Sequence, residues 1–169
     1  EVLDYLFNTE QESTGTLSDV TGLIGQYAHG NEPSHHVAYI YSYLDRPGET
    51  QRLVRQICTD FYKNKPDGLI GNDDCGQMSA WYMFSALGFY PVNPVSGEFV
   101  LGAPQVPSAS INVGNGKWFT MEAKNLSKEN LYVEKVELNG KPYGKRTIGY
   151  KDIIDGSSLV FYMTSEVME

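Results

Sequence analysis

The stretch His29-Gly30-Asn31-Glu32-Pro33-Ser34-His35-His36 holds all three histidines of the chain within eight residues, beside a carboxylate, an amide and a proline suited to the first turn of a helix. Beyond it Val37, Ile40, Tyr41 and Leu44 recur at i, i+3, i+4 and i+7, which predicts a helix that stops at Asp45-Arg46-Pro47-Gly48. Val54, Ile57, Cys58 and Phe61 repeat the spacing and predict a second helix, closed by Asn64-Lys65-Pro66-Asp67-Gly68. A third is predicted from about Cys75 to Leu87, with Ala80, Met83, Phe84 and Leu87 on one stripe and Met78, Trp81 and Tyr82 on another. Apolar residues on both sides predict a buried helix. Nothing in the chain would cover its outer faces, so the three helices are expected to belong to a larger helical array.

Near Pro91-Val92-Asn93-Pro94 the period changes to two. Ile111 and Val113, then Phe119, Met121 and Ala123, then Tyr132 to Leu138, then Leu159, Phe161 and Met163 predict at least four strands. Asn139-Gly140 between two of them is a hairpin signal, and Lys151–Asp155 suits one short helix. The expectation is an α+β chain, with a helical segment over 1–92 and a small antiparallel, sandwich-like β domain over 93–169.

With 169 residues, 41% of them hydrophobic, the chain can build a core without disulfide staples. The net charge of −8 is uneven, with 5 basic and 12 acidic residues in 1–92 against 8 and 9 in 93–169. That balance argues against nucleic acid and suits a neutral or cationic ligand or a metal ion. Cys58 and Cys75 define neither a disulfide framework nor a zinc site by spacing. No apolar stretch is long enough to span a bilayer, and the start, Glu1-Val2-Leu3-Asp4, has no signal-peptide pattern and suggests a processed or excised piece.

The chemistry-bearing residues lie in the turns. A second polar cluster, Gly71-Asn72-Asp73-Asp74-Cys75-Gly76-Gln77, stands at the mouth of the third predicted helix. Two acidic loops at helix mouths suit a carboxylate-driven hydrolase. Asn31 and Glu32 stand where free N–H groups favour an anion, and simple capping would explain them equally well. The crowd of imidazoles beside them favours a ligand site, and its oxygen donors suit a hard cation such as calcium. Zinc fits less well, since adjacent His35 and His36 would point about 100° apart on a helix. Asp74-Cys75-Gly76-Gln77 matches a capping box with Asp74 as N-cap, which does not exclude a second role for Asp74 as a rigid general base. Asp73 beside it is a like charge that would raise the pair's proton affinity or recruit a cation. Trp81 and Tyr82 are expected in the core rather than on a sugar ring.

The segment from Gly22 to His36, Gly22-Leu23-Ile24-Gly25-Gln26-Tyr27-Ala28-His29-Gly30-Asn31-Glu32-Pro33-Ser34-His35-His36, resembles a signature of glycoside hydrolase family 92, the calcium-dependent exo-acting α-mannosidases. So do Gly76-Gln77-Met78-Ser79-Ala80-Trp81-Tyr82, Phe84-Ser85-Ala86-Leu87-Gly88-Phe89-Tyr90-Pro91 and Leu138-Asn139-Gly140-Lys141-Pro142, and together these cover most of the chain. The resemblance implies that the helices are part of an (α/α)6 catalytic barrel and that this is the C-terminal portion of a longer enzyme, inactive alone. It implies single-step inverting hydrolysis of terminal α-mannosides, α-1,2-linked for preference, in a mannose-containing oligosaccharide or N-glycan. Asp74 is then the general base, with Asp73 the next candidate. Glu32, His29, His35 and His36 become sugar-binding residues, and Asn31, Glu32 and Gln26 ligands of Ca2+. Asn72 departs from the family pattern, in which many members carry an aspartate there, and the general acid falls upstream of residue 1. Without the resemblance, Glu32 would be the candidate acid. The remainder of the enzyme becomes the main protein partner, and a periplasmic, cell-envelope or secreted location is expected. The alternative is a non-catalytic sugar-binding or structural β module with attached helices.

Overall fold

The computed structural model describes residues 1–10 and 20–168. Helix α1 (Val2–Asn8) lies against a two-stranded hairpin of β1 (Leu23–Ile24) and β2 (Tyr27–Ala28). Its turn passes so close to α1 that a Cβ on Gly25 would stand 2.6 Å from the Leu6 carbonyl oxygen. A 3-10 turn (Glu32–Ser34) and a longer 3-10 helix (Val37–Leu44) follow, then α2 (Pro47–Phe61) and α3 (Gln77–Leu87).

The segment 37–44 differs from expectation in a way its burial explains. The buried residues are Ala38, Tyr39, Tyr41 and Ser42, two pairs three apart, which is the spacing at which side chains eclipse in a 3-10 helix. Of the expected stripe only Tyr41 is buried, and Leu44 is 56% exposed. Helix α2 follows the predicted pattern, with Leu53, Val54, Ile57 and Cys58 inward and Pro47 in its first turn. Helix α3 is covered on one side only. Met78 and Trp81 are fully buried by this same chain, whereas Met83 is 65% exposed.

The remaining strands form two larger sheets. Strands β3 (Phe89–Tyr90), β4 (Glu98–Leu101) and β9 (Thr147–Gly149) make one, in the order β3-β4-β9. Strands β5 (Ser108–Gly114), β6 (Lys117–Lys124), β7 (Tyr132–Leu138), β8 (Lys141–Pro142) and β10 (Ser158–Thr164) make the other, in the order β5-β6-β10-β7-β8. Asn139-Gly140 forms the expected two-residue hairpin turn, both residues at positive φ (53° and 72°), with Leu138 opposite Lys141. The wholly antiparallel expectation fails at one place, since β10 runs parallel to β6 and antiparallel to β7. After β8 the chain crosses to the small sheet as β9 and turns through α4 (Tyr150–Ile154). It then re-enters between strands already laid down, and an inserted strand takes whichever direction its connection allows.

Phe89, Leu101 and Ile148 of the small sheet share one core with Phe119, Met121, Leu159 and Phe161 of the large one. Phe84 on α3 packs against both this core and the helical one. Strand β3 lies on the helical side of the expected boundary at residue 92 and pairs with β4 beyond it. Across the same junction the Val133 N–H donates to Gln51 Oε1 at 3.1 Å.

Candidate active site

The two polar clusters meet at the N-terminus of α3. Gln77 Nε2 donates to His35 Nδ1 at 3.1 Å, and Trp81 Nε1 donates to the His35 carbonyl at 2.9 Å. His35 therefore carries its proton on Nε2, which donates to the His29 carbonyl at 2.9 Å. A second chain of bonds runs beneath. The Tyr62 hydroxyl gives its single proton to the Met78 carbonyl at 3.0 Å, so at its 2.7 Å contact with His29 Nε2 the imidazole must be the donor. His29 Nδ1 then accepts from the Tyr27 hydroxyl at 2.8 Å.

His29 and His35 are 0% and 1% exposed, stacked at 4.7 Å, with Trp81 edge-on to His29 at 4.5 Å. Burial, reinforced by the neighbouring His35, pushes the His29 pKa down to about 3. Burial also lowers that of His35, partly opposed by its bond to the His29 carbonyl. Both rings are neutral hydrogen-bonding elements at ordinary pH, and burial raises the pKa values of Tyr27 and Tyr62 so that both stay protonated. The structure thus places these two histidines under the surface loop, while Glu32 and His36 are half-buried and Asn31 is exposed.

Pro33 starts a 3-10 turn in which Asn31 holds the N-cap position without a side-chain cap bond. The Ser34 hydroxyl lies 2.7 Å from both the Ala28 and Asn31 carbonyls. Gln26 is half-buried, its N–H donating to the Leu6 carbonyl at 2.7 Å. Among the described residues, no set of three or more His, Cys, Asp or Glu side chains gathers as a metal cage.

The acidic cluster is exposed and strained. Asp74, Cys75 and Gly76 take φ values of 48°, 56° and 95°, three successive left-handed residues. Such a conformation costs a non-glycine residue about 1–2 kcal/mol, and strain of this kind persists only where the surroundings enforce it. The capping box expected at Asp74 does not form. Because the left-handed turn delays entry into α3, the N-cap is Gly76, and the Gln77 side chain turns to His35 and, at 3.4 Å, to the Tyr90 hydroxyl. Capping falls to Asp73, whose Oδ1 accepts from the Ser79 N–H at 3.0 Å and the Ser79 hydroxyl at 2.8 Å. Tyr62, Ser79 and Tyr90 were not legible as parts of this assembly. Tyr62 sits one residue past the end of α2, outside any helical stripe, and Tyr90 lies on a two-residue strand.

Exposed carboxylates on a constrained turn, beside a loop of amide, carboxylate and imidazole, are groups a glycoside hydrolase can use. The chain belongs to glycosyl hydrolase family 92, whose catalytic-domain model matches residues 1–165. Among solved structures it is similar to a family 92 alpha-mannosidase from Bacteroides thetaiotaomicron, at 49% identity and a TM-score of 0.90, covering 97% of this chain and 22% of that one. The same mannosidase in complex with mannoimidazole gives 48% and 0.92. A family 92 inverting mannosidase of that organism gives 32% identity and a TM-score of 0.82, over 97% of this chain and 24% of that one. An uncharacterized secreted glycosidase from Arthroderma benhamiae is 29% identical over 140 residues, 81% of this chain and 18% of that protein. The chain therefore spans about a fifth of the length of these relatives. The matched family model runs through helices and strands alike, so a freestanding non-catalytic β module is not favoured. Among the described residues no helix is long and apolar enough to cross a membrane.

Proposed function

We propose that this chain carries the general base of an exo-acting, inverting α-mannosidase, and that the base is Asp74. The observation behind this reading is the left-handed turn at the mouth of α3. It exposes Asp74 on a constrained backbone at the helix mouth, beside Asp73, which caps α3 through Ser79. A base must be rigid to aim one water at one carbon. Asp74 takes a proton from that water as its oxygen bonds to the anomeric carbon. The glycosidic C–O bond breaks from the opposite face, and a general acid outside this chain protonates the leaving oxygen. Terminal α-mannosides of oligosaccharides or N-glycans, α-1,2-linked for preference, are the substrate we assign. The mannosidase identity of the similar structures supports this, one of them holding mannoimidazole. Residues 1–92 would form part of an (α/α)6 barrel completed by the remainder of the enzyme. The secreted relative supports a periplasmic, envelope or secreted location.

Glu32 and His36, half-buried beside exposed Asn31, are the residues we assign to the sugar. His29 and His35 hold that loop from beneath through the Tyr62 and Gln77 bonds. The oxygens of Asn31, Glu32 and Gln26 fit calcium in kind, since hard cations take carboxylate and amide oxygens. They fall short of its usual six to eight in number, so sugar, water or the rest of the enzyme would complete the shell. Bound there, calcium would supply a positive charge that holds and orients sugar hydroxyls.

Asp74→Asn in the complete enzyme should lower kcat on an α-mannoside by about 10²- to 10⁴-fold, with KM within a few-fold and no loss of melting temperature. Near-normal kcat in that variant would refute the assignment. Calcium affinity, measured by calorimetry, should fall at least about tenfold in Glu32→Gln, because a lost charged ligand weakens an oxygen site. Unchanged affinity would move the metal elsewhere.

A further inference from the structure

Asp74 stands in a turn that its neighbour closes. The side chain and carbonyl of Asp73 grip the turn from both ends. Its Oδ1 accepts from the Ser79 N–H at 3.0 Å and the Ser79 hydroxyl at 2.8 Å, six residues on and inside α3. Its carbonyl accepts from the Gly76 N–H at 3.1 Å and the Met78 N–H at 3.2 Å. The loop so closed contains the three left-handed residues Asp74, Cys75 and Gly76 and nothing else before the helix. The Asp74 carbonyl accepts from the Gln77 N–H at 3.2 Å, and the Gly76 carbonyl from the Ala80 N–H at 2.8 Å. Gly76 has open space where a Cβ would stand, so its glycine answers to backbone conformation rather than to crowding.

Two residues at φ near +50° that are not glycine would relax toward ordinary helical angles if nothing held them. Relaxation would extend α3 backwards through Asp74 and swing its carboxylate off target. We propose that Asp73 is a positioning residue, and that the two hydrogen bonds it accepts from Ser79 are the clasp that keeps Asp74 aimed at the sugar. The inference rests on Asp74 being the base. The clasp requires an acceptor oxygen at residue 73 rather than a negative charge, which separates this role from proton transfer by Asp73 itself. An asparagine keeps that oxygen; an alanine does not.

The test uses the complete enzyme and four variants, with kcat, KM and melting temperature measured on each. Asp73→Ala should lower kcat about 10²-fold at a KM within a few-fold, the size of loss expected when a reacting group is displaced by about 1 Å. Asp73→Asn should recover most of that loss. Ser79→Ala, which removes one of the two bonds and leaves Asp73 in place, should fall between them with its melting temperature preserved. That variant carries the test if Asp73→Ala fails to fold. Asp73→Asn as impaired as Asp73→Ala would show that the charge is needed and overturn the clasp, as would wild-type kcat in Ser79→Ala. Asp74→Asn with near-normal kcat would instead overturn the assignment of the base, a failure visible in that variant alone.

Discussion

The histidine cluster and the aspartate cluster look alike as strings, each a run of polar residues leading into an apolar helix, yet the fold treats them oppositely. His29 and His35 turn inward to 0% and 1% exposure and give their ring nitrogens to Tyr27, Tyr62, Gln77 and the His29 carbonyl. Asp73 and Asp74 stay at the surface on a strained turn. The difference follows from chemistry. A neutral imidazole can be buried if both nitrogens find partners, whereas a carboxylate costs far more to take out of water. On the proposed reading the inward cluster supports and the outward cluster reacts. Substitutions in the first should therefore show in stability, and in the second in turnover.

The largest expected stability effect tests the inward cluster. His29→Ala removes a ring packed against His35, Phe61 and Trp81 and strands the partners of both its nitrogens. A cavity combined with a broken buried network costs about 3–5 kcal/mol, to be read from denaturant unfolding of the complete enzyme. Unchanged stability with lost turnover would make His29 a direct participant and erase the contrast between the clusters. The same residue gives a pH signature. His29 titrates at about 3 when folded against an ordinary value of 6.5, so between those values the unfolded chain holds more protons. Its contribution is intact above about pH 6.5 and is lost as pH falls toward 3, at up to about 1.4 kcal/mol per pH unit. His35 is shifted in the same direction. In His29→Gln that slope should flatten.

Periodicity carried the fold wherever one face alone decides burial. Helix α2 and the four long strands β5, β6, β7 and β10 fall where the spacing of Val54, Ile57 and Cys58, or the alternation of Phe119, Met121 and Ala123, puts them. It failed at 37–44, where the pattern Val37, Ile40, Tyr41, Leu44 fits an α-helix and the packing of Tyr39 and Tyr41 selects a 3-10 helix instead. The parallel entry of β10 beside β6 was hidden too, because pairing direction is set by a connection, not by alternation within a strand. At the site, residue types and spacing marked both clusters. The capping of α3 by Asp73 rather than Asp74 was out of reach, since it depends on left-handed dihedrals at Asp74 and Cys75 that neither residue type demands.

The smallest effect concerns the seam between the clusters. Among the described residues Gln77 Nε2 makes one of three hydrogen-bonded links across it, with Trp81 Nε1 to the His35 carbonyl and the Tyr62 hydroxyl between His29 and the Met78 carbonyl. Gln77→Met keeps the length of the side chain and removes its donor, leaving His35 Nδ1 with no donor from that side. One lost hydrogen bond of this kind costs about 0.5–1.5 kcal/mol, and the two remaining links should hold the loops together. Turnover should fall by only a few-fold, with stability changed by about 1 kcal/mol, both measured on the complete enzyme. A loss of kcat as large as that of Asp74→Asn would mean that the seam transmits position from the histidine loop to the base, so that the two clusters act as one unit. A change in neither quantity would mean that the links through Trp81 and Tyr62 hold the clusters together without Gln77.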